Sequence, residues 1–184
     1  MAGVMVFYFV LLVPLAVLYP EKTGMLRALI CRLRQGQYVD DRDVVFQKQF
    51  GLCGTACIQM LLNRHFIDFQ HADLYCLGWN LSMFSISDTL RKYGFDTRGI
   101  RFHEKTDILR IINDNDSMDL IVHLQYKWVL FFSKDSHWAI IDAICLNDII
   151  LLDPFLGRVL MNNQRFFCLW SGYALLARYR GISE

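Results

Sequence analysis

The sequence predicts an α+β domain preceded by a membrane-spanning helix, and three observations carry that prediction. The first 20 residues contain no charged side chain, helix-spaced apolar residues fill the early part of the remaining chain, and short apolar runs punctuated by turn residues fill its later part. After that apolar start, the 184-residue chain has ordinary single-domain length, enough for a real core. A formal net charge of +1 gives no hint of a nucleic-acid partner, and neither repeats nor low-complexity stretches appear.

Met1 to Pro20 reads almost entirely as Val, Leu, Phe, Tyr and Ala. At about 1.5 Å of rise per residue, roughly 20 residues span a hydrocarbon core of about 30 Å. A transmembrane helix is expected there, with Pro14 as a site for a kink. The competing reading is a cleaved signal peptide. Against it, no Lys or Arg precedes the apolar stretch, the stretch is long, and no small-x-small cleavage site follows Ala16. Lys22, Arg27, Arg32 and Arg34 all come after the segment, which by the positive-inside rule places the remainder in the cytoplasm. Residues 21–42 form a basic, partly helical connector ended by Gly36, suited to lie on anionic lipid.

The domain proper is expected over residues 43–184. Its first helix opens at Cys53 and runs to about Asn63, with Gly51 and Gly54 giving the backbone room to turn and Thr55–Leu62 continuing at helical spacing. Further helices are expected near Ala72–Leu77, Ser87–Tyr93 and Lys105–Asn113. Strands are expected near Thr97–Phe102, Leu120–Leu124, Val129–Phe132, His137–Cys145, Ile149–Asp153, Arg158–Met161 and Tyr173–Arg178. Leu146-Asn147-Asp148 reads as the turn between two of them. Helices early and strands late put a helical part against an antiparallel sheet.

The chemistry-bearing residues sit at informative places in that outline. Gln47 lies six residues before Cys53, and Cys53 stands on the first turn of a helix. A thiol of pKa about 8.5 becomes a thiolate near neutrality when a helix N-terminus and an imidazole lower it to roughly 3–4. His137 would exchange the proton, while the Gln47 amide and the Cys53 backbone N–H would share an oxyanion if the intervening loop curls back. Three carboxylates compete to orient the imidazole. Asp142 is five positions after His137 and so faces the other side of one strand. Asp135 has the right parity but is expected in a solvated loop. Asp153 ends the next strand, is stopped by Pro154, and can project toward its neighbour; the sequence leaves the register open.

As a set, Gln47, Cys53-Gly54, Ala56-Cys57, Ser85–Phe95, the apolar strand Leu120–Leu124, Ser136-His137-Trp138, Asp153-Pro154 with Gly157, and Phe166, Trp170 and Ser171-Gly172 resemble the bacteriocin-processing, double-glycine-leader cysteine peptidases. These are papain-like domains otherwise found at the N-terminus of peptide-exporting ABC transporters. The resemblance covers about residues 43–178. It implies a papain-like fold with the catalytic helix packed on the sheet, Cys53 as nucleophile, His137 as base, Asp153 as orienter and Gln47 as oxyanion donor. It implies no cofactor and no metal. Two departures bear on substrate details: Leu52 stands where an acidic residue is usual, and Met118-Asp119 replaces the usual proline opening the central strand. Because no transporter domains come after it, a free-standing peptidase is expected.

The implied function is a cysteine endopeptidase anchored by a single N-terminal helix in a bacterial cell membrane, with its domain in the cytoplasm. It would cleave the leader of an exported peptide or protein precursor after Gly-Gly or a similar small pair. A separate exporter or assembly machine is the further partner. The alternatives are a non-catalytic leader-binding module and an acyl transferase using the same nucleophile.

The other reactive residues have bland readings. Cys57 and Cys145 read as buried small hydrophobes, and a zinc site from Cys53, Cys57 and His65 lacks a second ligand pair. His123 reads as a satisfied core histidine; His65, His71 and His103 read as surface residues. Trp138 reads as packing on the far face of the sheet rather than contacting substrate.

Overall fold

Seven strands hydrogen-bond in the order β1-β6-β5-β4-β3-β7-β2, every neighbouring pair antiparallel. They are β1 (Gly36–Asp40), β2 (Phe95–Arg101), β3 (Asp119–Lys127), β4 (Lys134–Ile144), β5 (Asp148–Asp153), β6 (Gly157–Asn162) and β7 (Trp170–Tyr179). Among the described residues three helices accompany them: α1 (Cys53–Arg64), α2 (Met83–Lys92) and α3 (Asn163–Leu169). The structure, a computed structural model, describes residues 36–49, 51–69, 74, 77, 78, 80–102, 118–127 and 134–181. The expected membrane helix at 1–20, the connector through residue 35, the helix near 105–113 and the strand near 129–132 lie outside the described residues, as does most of the helix near 72–77. Among the described residues no helix is long and apolar enough to cross a membrane.

The alternation of side chains along each strand divides the core into two layers. On one face, Ile58, Leu61 and Leu62 of α1 and Ile86 and Leu90 of α2 bury against Ile121, Ile140, Leu152 and Leu175. On the other, Phe166 and Leu169 of α3 close over Val122, Leu124, Ala139, Ile149, Leu151 and Leu176. Each such side chain, taken from water, contributes roughly 1.5–3 kcal/mol. The two helices on the first face approach closely because Gly54 has no side chain. A Cβ there would meet Leu81 Cβ at 3.0 Å and Ile86 Cδ1 at 3.2 Å. Gly54 is thus a packing residue within α1, while Gly51, at φ 84°, makes the turn.

Several elements differ from expectation for local reasons. Residues 36–40, assigned from sequence to the connector, pair with β6 as an edge strand, so the sheet begins before residue 43. α2 starts at Met83 rather than Ser87 because Ser82 caps it, its Oγ accepting the Ser85 N–H at 3.1 Å. α3 is an addition to the expected elements; Asn162 caps it by accepting the Arg165 N–H at 2.7 Å. β4 begins at Lys134, which places the backbone of Asp135 in a strand rather than a loop. It ends at Ile144, so Cys145 opens the turn and is exposed, not buried.

Candidate active site

Cys53 is placed by the start of α1 and by the edge that β5 leaves beside β4. The helix opens after Leu52, which has no side-chain acceptor to cap the first turn, and no acidic residue stands in that turn. The sulfur takes that place: the Gly54 N–H hydrogen-bonds to it. The β4–β5 ladder ends with Ile140 opposite Leu152. Beyond that end, the backbone N–H of Trp138 donates to the Cys53 sulfur.

His137 and Asp153 meet across the same strand end. Asp153 closes β5 and is buried, and its Oδ1 accepts the Phe155 N–H at 2.8 Å and the Leu156 N–H at 3.0 Å. These bonds fold the chain after Pro154 around the carboxylate and aim it at β4. His137 Nε2 lies 2.9 Å from the same Oδ1. With Nε2 committed to the carboxylate, Nδ1 is the ring nitrogen left for the sulfur, and the Cys53 and His137 side chains are hydrogen-bonded.

The electrostatics result from this chain of contacts. Burial pushes the Cys53 thiol up, yet the hydrogen bond and charge of His137, with the Trp138 and Gly54 N–H groups, bring it below its ordinary value. Burial would depress His137, but the Asp153 carboxylate and the bond to Cys53 raise it to about 10. Asp153, which burial would raise, is held at about 2 by the imidazolium and the two backbone donors. These shifts favour a thiolate beside an imidazolium and a carboxylate in one buried row.

Gln47 reaches this row through its backbone, its N–H donating to Pro154 O at 2.9 Å. The loop thus curls back to the residue next to Asp153. The buried side-chain Oε1 of Gln47 has no hydrogen-bond partner among the described residues.

Of the competing carboxylates, Asp142 lies elsewhere. Asp142 bonds Arg64 at 2.9 Å and Arg158 at 2.7 Å. Cys57 is fully buried, and burial together with the nearby charges of Cys53 and Asp153 pushes its thiol well above the ordinary value. His65 stands just past the far end of α1, about 18 Å along the axis from Cys53 at 1.5 Å per residue, so these three do not converge. It is half-buried rather than superficial, 2.7 Å from Asp119 and packed on the rings of Phe95 and Tyr179. His123 bonds Ser171 at 2.8 Å, and the Trp138 indole donates to Leu81 O at 2.9 Å on the face covered by α1 and α2, not on the far face expected for it. No sequence signal marks the Trp138 backbone donor, since only the point where β5 stops exposes that N–H. The pair of donors on Asp153 is readable in part, from a proline directly after an aspartate.

A family model described as the Peptidase C39 family matches residues 41–180. The chain is 25% identical over 141 residues to the lactococcin-G-processing and transport ATP-binding protein LagD of Lactococcus lactis subsp. lactis, covering 74% of this chain and 19% of that protein. It is 28% identical over 138 residues to cysteine protease effector 1 of Escherichia coli O1:K1:H7, covering 73% and 26% respectively. It thus spans about a fifth to a quarter of the length of these relatives. In fold it is similar to the peptidase domain of Streptococcus ComA, a bi-functional ABC transporter involved in quorum sensing. That likeness has a TM-score of 0.59 at 22% identity, over 74% of this chain and 98% of that one. It is also similar to a double glycine motif protease from an AMS/PCAT transporter, solved with its leader peptide. There the TM-score is 0.62 at 17% identity, over 74% and 91% of the two chains.

Proposed function

The chain belongs to the peptidase C39 family and is a cysteine peptidase, and on that premise we propose that it removes the leader of an exported peptide or protein precursor through Cys53, His137, Asp153 and Gln47. The observation that carries this reading is the continuous row from the sulfur through His137 to Asp153 at the mouth of α1.

In the proposed reaction the Cys53 thiolate adds to the scissile carbonyl carbon, and the carbonyl electrons move to oxygen. The Cys53 backbone N–H and the Gln47 side-chain amide N–H stabilise that oxyanion. As the oxyanion collapses, the carbon–nitrogen bond breaks and His137 gives its proton to the departing amine, leaving a thioester on Cys53. His137, now neutral, takes a proton from water. The hydroxide adds to the thioester, the carbon–sulfur bond breaks, and the leader leaves as a carboxylic acid that gives its proton to solvent, while the ion pair re-forms. Asp153 keeps Nε2–H bonded throughout and so presents Nδ1 to the sulfur.

The substrate reading, cleavage after Gly-Gly or a similar small pair, is supported by the double glycine motif protease whose fold this chain shares. Membrane attachment is supported by the uncharged residues 1–20, and a cytoplasmic domain by the basic residues that come after them. A separate exporter would receive the product. Recovery of the whole chain in the soluble fraction of lysed cells would contradict the anchor.

The test is incubation with a leader peptide ending in a small-residue pair, with products weighed by mass spectrometry. Cleavage to a free carboxylate is expected, with none by Cys53→Ala. Cleavage that survives Cys53→Ala removes the assignment, and a product joined to an added amine marks acyl transfer instead.

A further inference from the structure

A bulge in β7 brings a serine back over β3. The register passes from Val122 opposite Ala174 to Leu124 opposite Trp170, so the single residue His123 faces the longer stretch Ser171 to Tyr173. Gly172 in that stretch has φ 87°, and a Cβ on it would lie 3.2 Å from the Phe102 carbonyl oxygen. The Ser171 hydroxyl donates to His123 O at 2.9 Å and accepts the Tyr173 N–H at 3.3 Å. Its one proton is committed to that carbonyl, so in the 2.8 Å contact with His123 Nδ1 the imidazole must be the donor. Ser171 therefore fixes both the tautomer and the tilt of the His123 ring.

The ring held this way packs against Trp138, the residue directly opposite it on β4, with centroids 4.7 Å apart and planes at 57°. From the helix side the same indole is anchored by its N–H on Leu81 O, at 2.9 Å. Trp138 is the residue whose backbone N–H donates to the Cys53 sulfur, and its chain neighbour is His137. His123 touches neither the sulfur nor, in the reaction proposed above, any reacting atom.

We propose that Ser171 and His123 form a positioning unit for the cysteine site, holding the Trp138 ring from the sheet side so that its backbone N–H stays on the Cys53 sulfur and the adjoining imidazole stays beside it. This rests on the reading of Cys53 as the working thiolate. The unit adds no competing charge, because burial and the nearby His137 imidazolium keep the His123 ring neutral. The groups that set the thiol's acidity are then His137, the Trp138 and Gly54 N–H groups and burial, with Asp153 acting through His137.

The experiment reads the sulfur directly, without a substrate. The pH dependence of iodoacetamide alkylation at residue 53, localised by fragment-ion mass spectrometry, is measured for the unsubstituted chain and for His123→Leu, His123→Asn and Ser171→Ala, with near-ultraviolet circular dichroism reporting the fold. The unsubstituted midpoint should lie below the free-thiol value of about 8.5. His123→Leu should raise it by about 1 pH unit, a tenfold slower alkylation at pH below both midpoints. Ser171→Ala should raise it less, and His123→Asn, whose amide nitrogen sits near the Nδ1 position, should restore it. A folded His123→Leu with the unsubstituted midpoint overturns the proposal; if that variant does not fold, an unchanged midpoint in Ser171→Ala does so. An ordinary midpoint in the unsubstituted chain overturns this inference together with the peptidase reading, whereas a depressed midpoint that all variants keep overturns this inference alone.

Discussion

Cys53 and Cys57 stand one helical turn apart on α1, yet only the first has an imidazole and two backbone donors on its sulfur. Cys57 meets burial and negative neighbours and stays protonated. Replacing Asp153 by Asn keeps an acceptor for Nε2 while removing the charge that raises His137. The alkaline limit of cleavage, expected near the His137 value of about 10, should then fall by about 1–3 pH units in a rate profile. Stability shifts with it in a defined window. The raised His137 favours the fold below pH 6.5 and loses that contribution as pH climbs through about 10; the lowered Asp153 contributes above pH 3.8 and loses it as pH drops through about 2. The melting-temperature gap between the chain and Asp153→Asn should therefore be widest between pH 3.8 and 6.5. Gln47→Ala should slow kcat by about 10²–10³ with the fold intact, as measured by steady-state cleavage. Cysteine, histidine and aspartate are legible as candidates because their chemistry constrains their neighbours: a glycine-flanked helix start, a strand mouth, a proline stop. Backbone donors such as the Trp138 N–H carry no mark in a sequence.

At the level of elements, α1 is anchored at both ends. Its N-terminus meets the β4 edge through the sulfur, and its C-terminus is tied by Arg64 to Asp119 of β3 at 2.6 Å and to Asp142 of β4 at 2.9 Å. Asp142 is the extra residue of a bulge, where Ile141 and Ala143 oppose consecutive residues of β5, and it also receives Arg158 from β6. Among the described residues, Arg64→Ala would leave Asp119, 8% exposed, with only His65 as partner. A loss of about 2–4 kcal/mol is expected in denaturant unfolding, toward the low side because Arg64 is itself part-exposed. Apolar strands such as β3, β5 and β7 are readable because burial on both faces fills them with Ile, Val, Leu and Ala. β1, with the sequence Gly-Gln-Tyr-Val-Asp, is not: an edge strand needs little apolar content, and its partner is far along the chain. α3 escapes because 7 residues are too few to establish a helical period.

Over the whole molecule, the sheet is covered by α1 and α2 on one face and by α3 on the other, and the site lies where the first layer meets the end of β5. Its parts, Cys53, His137 and Asp153 with the proposed donor Gln47, are far apart in the chain, so the site exists only when sheet and helices are assembled. The α+β outline is legible from the distribution of helical and strand-like runs, whereas the second helical layer depends on α3. Attack by the Cys53 sulfur is tested most simply by an acid-quenched, single-turnover reaction with a leader peptide, followed by mass spectrometry of the digested protein. A transient mass increase equal to the leader fragment less one water is expected, carried on Cys53 and absent in Cys53→Ala. Cleavage proceeding with no adduct on residue 53, or with the adduct on another side chain, would rule that attack out.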